Sequence, residues 1–78
     1  MSNADKLRHL FCTVLEVPED VVDGLTYNSV SAWDSVGHMQ LIAAIEKEFS
    51  LTFDTQDIFD FDSFKKGMEI IGKHGVKV

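Results

Sequence analysis

The sequence predicts an all-α chain, a small four-helix bundle whose third helix is short and whose first loop is long. Three observations carry that reading. Apolar residues recur at helical period in three separate stretches. Asp or Ser stands just ahead of the later helices, where a side-chain oxygen can accept N–H groups that a first turn leaves unpaired. The 78 residues are 45% hydrophobic and 26% charged, the composition of an ordinary folded protein. At that length residues 1–78 are expected to form a single domain. Its core supplies only roughly 3–5 kcal/mol, so modest stability is expected. Residues 1–4 carry no weight, since part of that stretch could be an expression remnant.

Leu7, Leu10, Phe11, Val14 and Leu15 repeat at i, i+3, i+4, i+7 and i+8, which makes Asp5–Glu16 an amphipathic helix. Val17-Pro18 should end it, because the residue before a proline is pushed out of the helical region. Glu16 to Trp33 is then a long connection. Val21, Val22, Leu25, Tyr27 and Val30 are the anchors expected to hold it across the bundle, with a helical turn near Glu19–Val22.

The chain is organised around Trp33 to Phe49, WDSVGHMQLIAAIEKEF. His38, Leu41, Ile42, Ile45 and Phe49 form one stripe at helical period, opened by Asp34-Ser35 as the cap. Gly37 lies in the first turn, where it costs up to about 1 kcal/mol relative to Ala. It reads either as close packing or as room for a group beside Ser35. After a connector, Ser50 to Phe53, Asp54 is expected to cap a short helix from Thr55 to about Phe59 that buries Ile58. Asp62 should cap the last helix, Ser63 to about Gly72, with Phe64, Met68 and Ile71 on one face. Gly72 or Gly75 closes it, and Lys73 and His74 suit its negative end. The predicted core is Leu7, Leu10, Phe11, Val14, Leu41, Ile42, Ile45, Phe49, Phe53, Ile58, Phe61, Phe64, Met68 and Ile71.

The candidate functional atom is the hydroxyl oxygen of Ser35. It is expected to be exposed at the positive end of the central helix, where the dipole and free N–H groups favour a phosphate esterified to it. Other chemistries fit poorly. His38 stands three residues from Ser35, but there is no Gly-x-Ser-x-Gly elbow and too little chain to enclose a substrate. No catalytic residue is therefore expected, and His38 reads as a packing or surface residue. His9 and Cys12 could seat two metal ligands, yet a structural zinc wants four, so Cys12 reads as a small packing residue and no metal is expected. The series Asp54, Asp57, Asp60, Asp62 lacks the Gly and Glu that a calcium loop needs.

Charge narrows the class further. Asp34 to Asp62 hold seven acids against one base, Lys47, which equals the whole formal net charge of −6. Such a surface repels nucleic acid and anionic lipid and steers towards basic partner surfaces. The longest apolar run, Leu41–Ile45, is far too short to cross a bilayer. A single cysteine excludes an internal disulfide framework. With no secretion leader in view, a cytoplasmic monomer is expected.

Asp34-Ser35-Val36, followed by an amphipathic helix ending in Glu46-Lys47-Glu48-Phe49, resembles the Asp-Ser-Leu site of acyl carrier proteins. The resemblance runs from about Leu7 to Ile71 and is strongest from Trp33 to Phe53, where it is closest to the free-standing bacterial carriers. Val36 departs from the usual Leu, keeping the apolar contact but shortening it. The resemblance implies that Ser35, with Asp34 beside it, carries 4′-phosphopantetheine from coenzyme A, attached by a phosphopantetheinyl transferase. The terminal thiol would hold acyl, polyketide or aminoacyl cargo as a thioester for loading ligases or synthases with basic docking surfaces. Val36, Met39, Gln40, Ala43, Glu46 and Lys47 would form the partner surface. Met39, Ile42, Phe53, Ile58 and Met68 are candidates to line an acyl pocket, or are plain core. Fatty-acid carriers are usually acidic at the positions of Gln40 and Lys47, so the amide and cation here point away from primary fatty-acid synthesis. They favour a dedicated pathway, such as polyketide, modified-lipid or aminoacyl transfer. The alternative from another class is a small acidic helical interaction module without a prosthetic group.

Overall fold

Residues 2–78 are described in the computed structural model, and they form five helices: α1 (Asn3–Leu15), α2 (Glu19–Val22), α3 (Ser35–Phe49), α4 (Thr55–Asp60) and α5 (Phe64–Lys73). The four expected helices are α1, α3, α4 and α5, and the turn foreseen near Glu19–Val22 is α2. Only an isolated bridge, Thr26 to Ser63, has extended pairing among the described residues. None of their helices is long and apolar enough to cross a membrane.

Local chemistry sets the helix ends. The Ser2 hydroxyl accepts the Asp5 N–H at 3.1 Å, so α1 begins at Asn3 rather than Asp5. It stops at Leu15 because Glu16 turns left-handed, with φ 56°, and its N–H returns to the Cys12 carbonyl. Pro18 thus follows a stop already made. Ser50 ends α3 in the same way, with φ 53° and its N–H on the Glu46 carbonyl. Asp54 caps α4 as expected, its Oδ1 accepting the Asp57 N–H at 2.8 Å.

The expected cap at Asp62 is a correction. Ser63 caps α5 instead, its hydroxyl accepting the Lys66 N–H at 2.9 Å. The Asp62 carbonyl is engaged elsewhere, by the Tyr27 N–H at 2.8 Å, and the Leu25 carbonyl takes the Phe64 N–H at 3.1 Å. These two bonds lash the long connection to the α4–α5 junction, so it lies across the bundle as anticipated. Val22 and Leu25 are buried, Val30 is half-buried, and Val21 and Tyr27 stay partly exposed.

The core contains Leu7, Phe11, Leu41, Ile42, Ile45, Phe53, Phe61, Phe64 and Ile71, all expected there. Five other expected members, Leu10, Val14, Phe49, Ile58 and Met68, only pack half-buried against it. Leu15, Val22, Leu25, Trp33 and Ile70 take the interior places instead. The connection closes over the end of the bundle and drives Trp33 inward until it is 0% exposed. Phe11 then meets Trp33 edge-on at 5.3 Å and Phe64 at 5.1 Å, and stacks on Phe61 at 6.0 Å. Each such pair adds about 0.5–1.5 kcal/mol beyond area burial. Gly67 makes room for this cluster: a Cβ there would run into the Phe61 ring.

Candidate functional site

Asp34 is the N-cap of α3, and its Oδ1 accepts the Gly37 N–H at 2.8 Å while its carbonyl accepts the His38 N–H at 2.7 Å. That places Ser35 in the first helical position, exposed to solvent. The N–H groups of Ser35 and Val36 have no carbonyl one turn earlier in the helix, so they and the dipole present positive potential beside the hydroxyl. Gly37 is explained by packing. It is buried, and a Cβ would collide with the carbonyl oxygen of Ala32. It therefore leaves no vacant room beside Ser35.

A groove of about 540 Å³ opens at Ser35. One wall is His38 and Met39 of α3; the opposite wall is Thr55, Ile58 and Phe59 of α4; Tyr27, Phe61 and Asp62 complete it. Of the five residues considered for an acyl pocket, Met39 and Ile58 line this groove. Ile42 and Phe53 are buried in the core and Met68 packs half-buried against it, so those three line no part of it. Phe59, 77% exposed, is the apolar flange that sequence reasoning missed. The signal available was an unassigned aromatic in a helix too short to bury two faces.

The other anticipated surface residues sit on the exposed side of α3. Val36 is 63% and Met39 53% exposed, and Gln40, Ala43 and Lys47 also face solvent. Glu46 is half-buried, and its Oε2 accepts the Phe53 N–H at 2.8 Å, so that carboxylate closes the turn after α3.

His38 belongs to the site's framework. Its Nδ1 accepts the Trp33 indole N–H at 3.0 Å and its Nε2 meets the Ile58 carbonyl at 2.9 Å. Both nitrogens face Trp33 and Ile58 rather than the Ser35 hydroxyl, so the ring is not placed to act as a base for it.

Three of the four acids in the series after α3 have partners of their own. Asp54 caps α4, Asp60 accepts from the Gln56 amide at 3.0 Å, and Asp57 pairs with His74 at 2.7 Å. The hydrogen bond from His74 holds the Asp57 carboxyl below its ordinary range. Among the described residues no trio of His, Cys, Asp or Glu is placed to hold a metal ion. Cys12 is half-buried against the core, and burial pushes its thiol pKa up, away from reactivity.

The family model described as a phosphopantetheine attachment site matches residues 5–66 of the 78. Searches of curated proteins and of solved structures each returned no significant match.

Proposed function

The chain belongs to the phosphopantetheine-attachment family, and from that premise we propose that Ser35 bears the arm and presents thioester-bound cargo to partner enzymes. Domains of this family carry a covalently attached 4′-phosphopantetheine for other enzymes and are not themselves catalytic. The observation that supports Ser35 is its position: an exposed hydroxyl one residue after the Asp34 cap, at the mouth of an apolar groove.

The site suits such a group. A phosphodiester at Ser35 would lie at the positive end of α3, beside amides free of intrahelical partners. When attached, the arm supplies a terminal thiol that holds cargo as a thioester. The chain's own residues tether and orient it: Asp34 fixes the first turn, and Met39, Ile58 and Phe59 offer apolar surface next to it. Transferases and acyl-handling enzymes are its partners, and we place their docking on Val36, Met39, Gln40, Ala43 and Lys47, which run from beside Ser35 along the exposed side of α3. Glu46 adds its charge at the edge of that face.

Gln40 and Lys47 favour a dedicated pathway over primary fatty-acid synthesis, with polyketide, modified-lipid or aminoacyl cargo. The reading places the chain in a bacterial cytoplasm as a monomer. Its test is intact mass after incubation with coenzyme A and a broad-specificity phosphopantetheinyl transferase. One modification is expected, lost in Ser35→Ala with helicity nearly unchanged. Labelling that persists in that variant, or label on Ser29, Ser31, Ser50 or Ser63, sinks the assignment.

A further inference from the structure

The partners of His38 fix its tautomer. An indole nitrogen only donates, so Nδ1, which receives the Trp33 N–H at 3.0 Å, carries no proton. Nε2 therefore carries it and donates to the Ile58 carbonyl at 2.9 Å. That carbonyl matters because α4 has only six residues, well below the length at which a helix is stable alone. Two of its last carbonyls are satisfied from outside its own ladder: Asp60's by the Asp62 N–H at 2.8 Å, and Ile58's by His38. The same helix forms the groove wall opposite α3. A side chain one turn beyond Ser35 thus holds the facing wall in place.

We propose that His38 is a positioning residue that latches α4 across the groove at Ser35, closed when the ring is neutral and released when it is protonated. Protonation adds an N–H at Nδ1, facing the N–H of Trp33. Trp33 is 0% exposed, so its displaced indole N–H cannot turn to water without moving the core. Nε2 keeps its proton, but the ring must turn to part the new Nδ1–H from the Trp33 N–H, and that turn takes Nε2 off the Ile58 carbonyl. Wall separation, and hence access to cargo tethered at Ser35, would follow the state of one imidazole. The functional meaning rests on Ser35 as the attachment residue; the latch itself does not.

Other titratable groups lie on the elements packed around this ring. From the long connection Tyr27 meets it edge-on at 5.5 Å, and Asp34 lies at the start of its own helix. Asp62 stands on the groove rim. On α4, Asp57 pairs with His74, a second titratable tie on the same short helix. The test must separate the two histidines.

Amide hydrogen exchange and imidazole nitrogen NMR on the full chain do so. While the ring is neutral, the wild type is expected to show His38 as the Nε2–H tautomer, with protected Ile58 and Phe61 amides. As pH is lowered, after correction for intrinsic exchange, those amides should open on the order of ten-fold faster, the factor one hydrogen bond carries. The Trp33 indole signal should shift with the same midpoint, while the Leu41 and Ile45 amides should hold. His38→Gln retains an N–H at the Nε2 position and does not titrate, so it should keep protection and lose the pH step. A step that survives in His38→Gln assigns the opening to Asp57–His74 and overturns the latch, as does an Nδ1–H tautomer in the wild type. None of these readouts uses the arm, so a failure of the Ser35 assignment would show only in the mass measurement.

Discussion

Nε2 of His74 lies 2.7 Å from Oδ2 of Asp57, which joins the C-cap of α5 to the middle of α4. Phe53 flanks the pair, its ring edge-on to His74 at 5.4 Å. Asp57 is the buried charged residue of the described chain, 8% exposed. The hydrogen bond from His74 is the largest cause of its lowered pKa, with the nearby charges of His74 and Lys73 adding to it.

Acid should therefore weaken the fold through this residue. A carboxyl with a depressed folded-state pKa contributes stability that is present above its unfolded value of about 3.9 and lost as pH falls through the folded value. Denaturant midpoints of the wild type should exceed those of Asp57→Asn at pH 6, and the gap should shrink steadily below about pH 4. A gap that stays constant to pH 2 would mean the pair adds no pH-linked stability.

That contact also marks where the sequence stops being legible. The central helix could be read locally, because the Asp34 cap and the Leu41, Ile42 and Ile45 stripe lie within one run and share one period. Asp57 and His74 are 17 residues apart, and His38 and Ile58 are 20 apart, so no spacing rule links them. Trp33 was missed as core for a related reason. It ends an aperiodic connection, and its burial follows from how that loop is lashed to Asp62 and Phe64. Ser35 stood out because its cap and helix are local signals; the groove beside it did not, because α4 arrives from elsewhere in the chain.

Core and site should separate in mutation. Ile45 is 0% exposed, so Ile45→Ala should cost about 2–5 kcal/mol, a large share of what so small a domain has. Val36 is 63% exposed, and Val36→Ala should stay within about 0.5 kcal/mol while weakening modification or transfer. Urea titrations of both variants decide it. A larger loss for Val36→Ala than for Ile45→Ala would contradict the way α3 faces the core.

Gly37→Ala tests the packing account of the first turn. Helix propensity alone favours Ala by up to about 1 kcal/mol. Against that, the new methyl would meet the Ala32 carbonyl, backbone that cannot rotate away. Overpacking of this kind costs about 1–3 kcal/mol, so a net loss of stability and slower modification of Ser35 are expected. A variant more stable than the wild type would show that Gly37 serves something other than close approach.

Partner choice should follow charge on α3. An acidic surface meeting a basic one accelerates encounter more than it deepens affinity, and salt screens it over roughly 8–10 Å near physiological ionic strength. Transfer to and from cognate enzymes should therefore slow as salt rises. Lys47 interrupts the acidic run between Glu46 and Glu48, and it is exposed, so it would be a repulsive element towards a basic partner docked on this face. The double change Gln40→Glu with Lys47→Glu should improve service to a fatty-acid synthase partner and impair service to the native one. Transfer kinetics with both enzymes would decide the matter: equal rates before and after mean that these two exposed positions do not select the pathway.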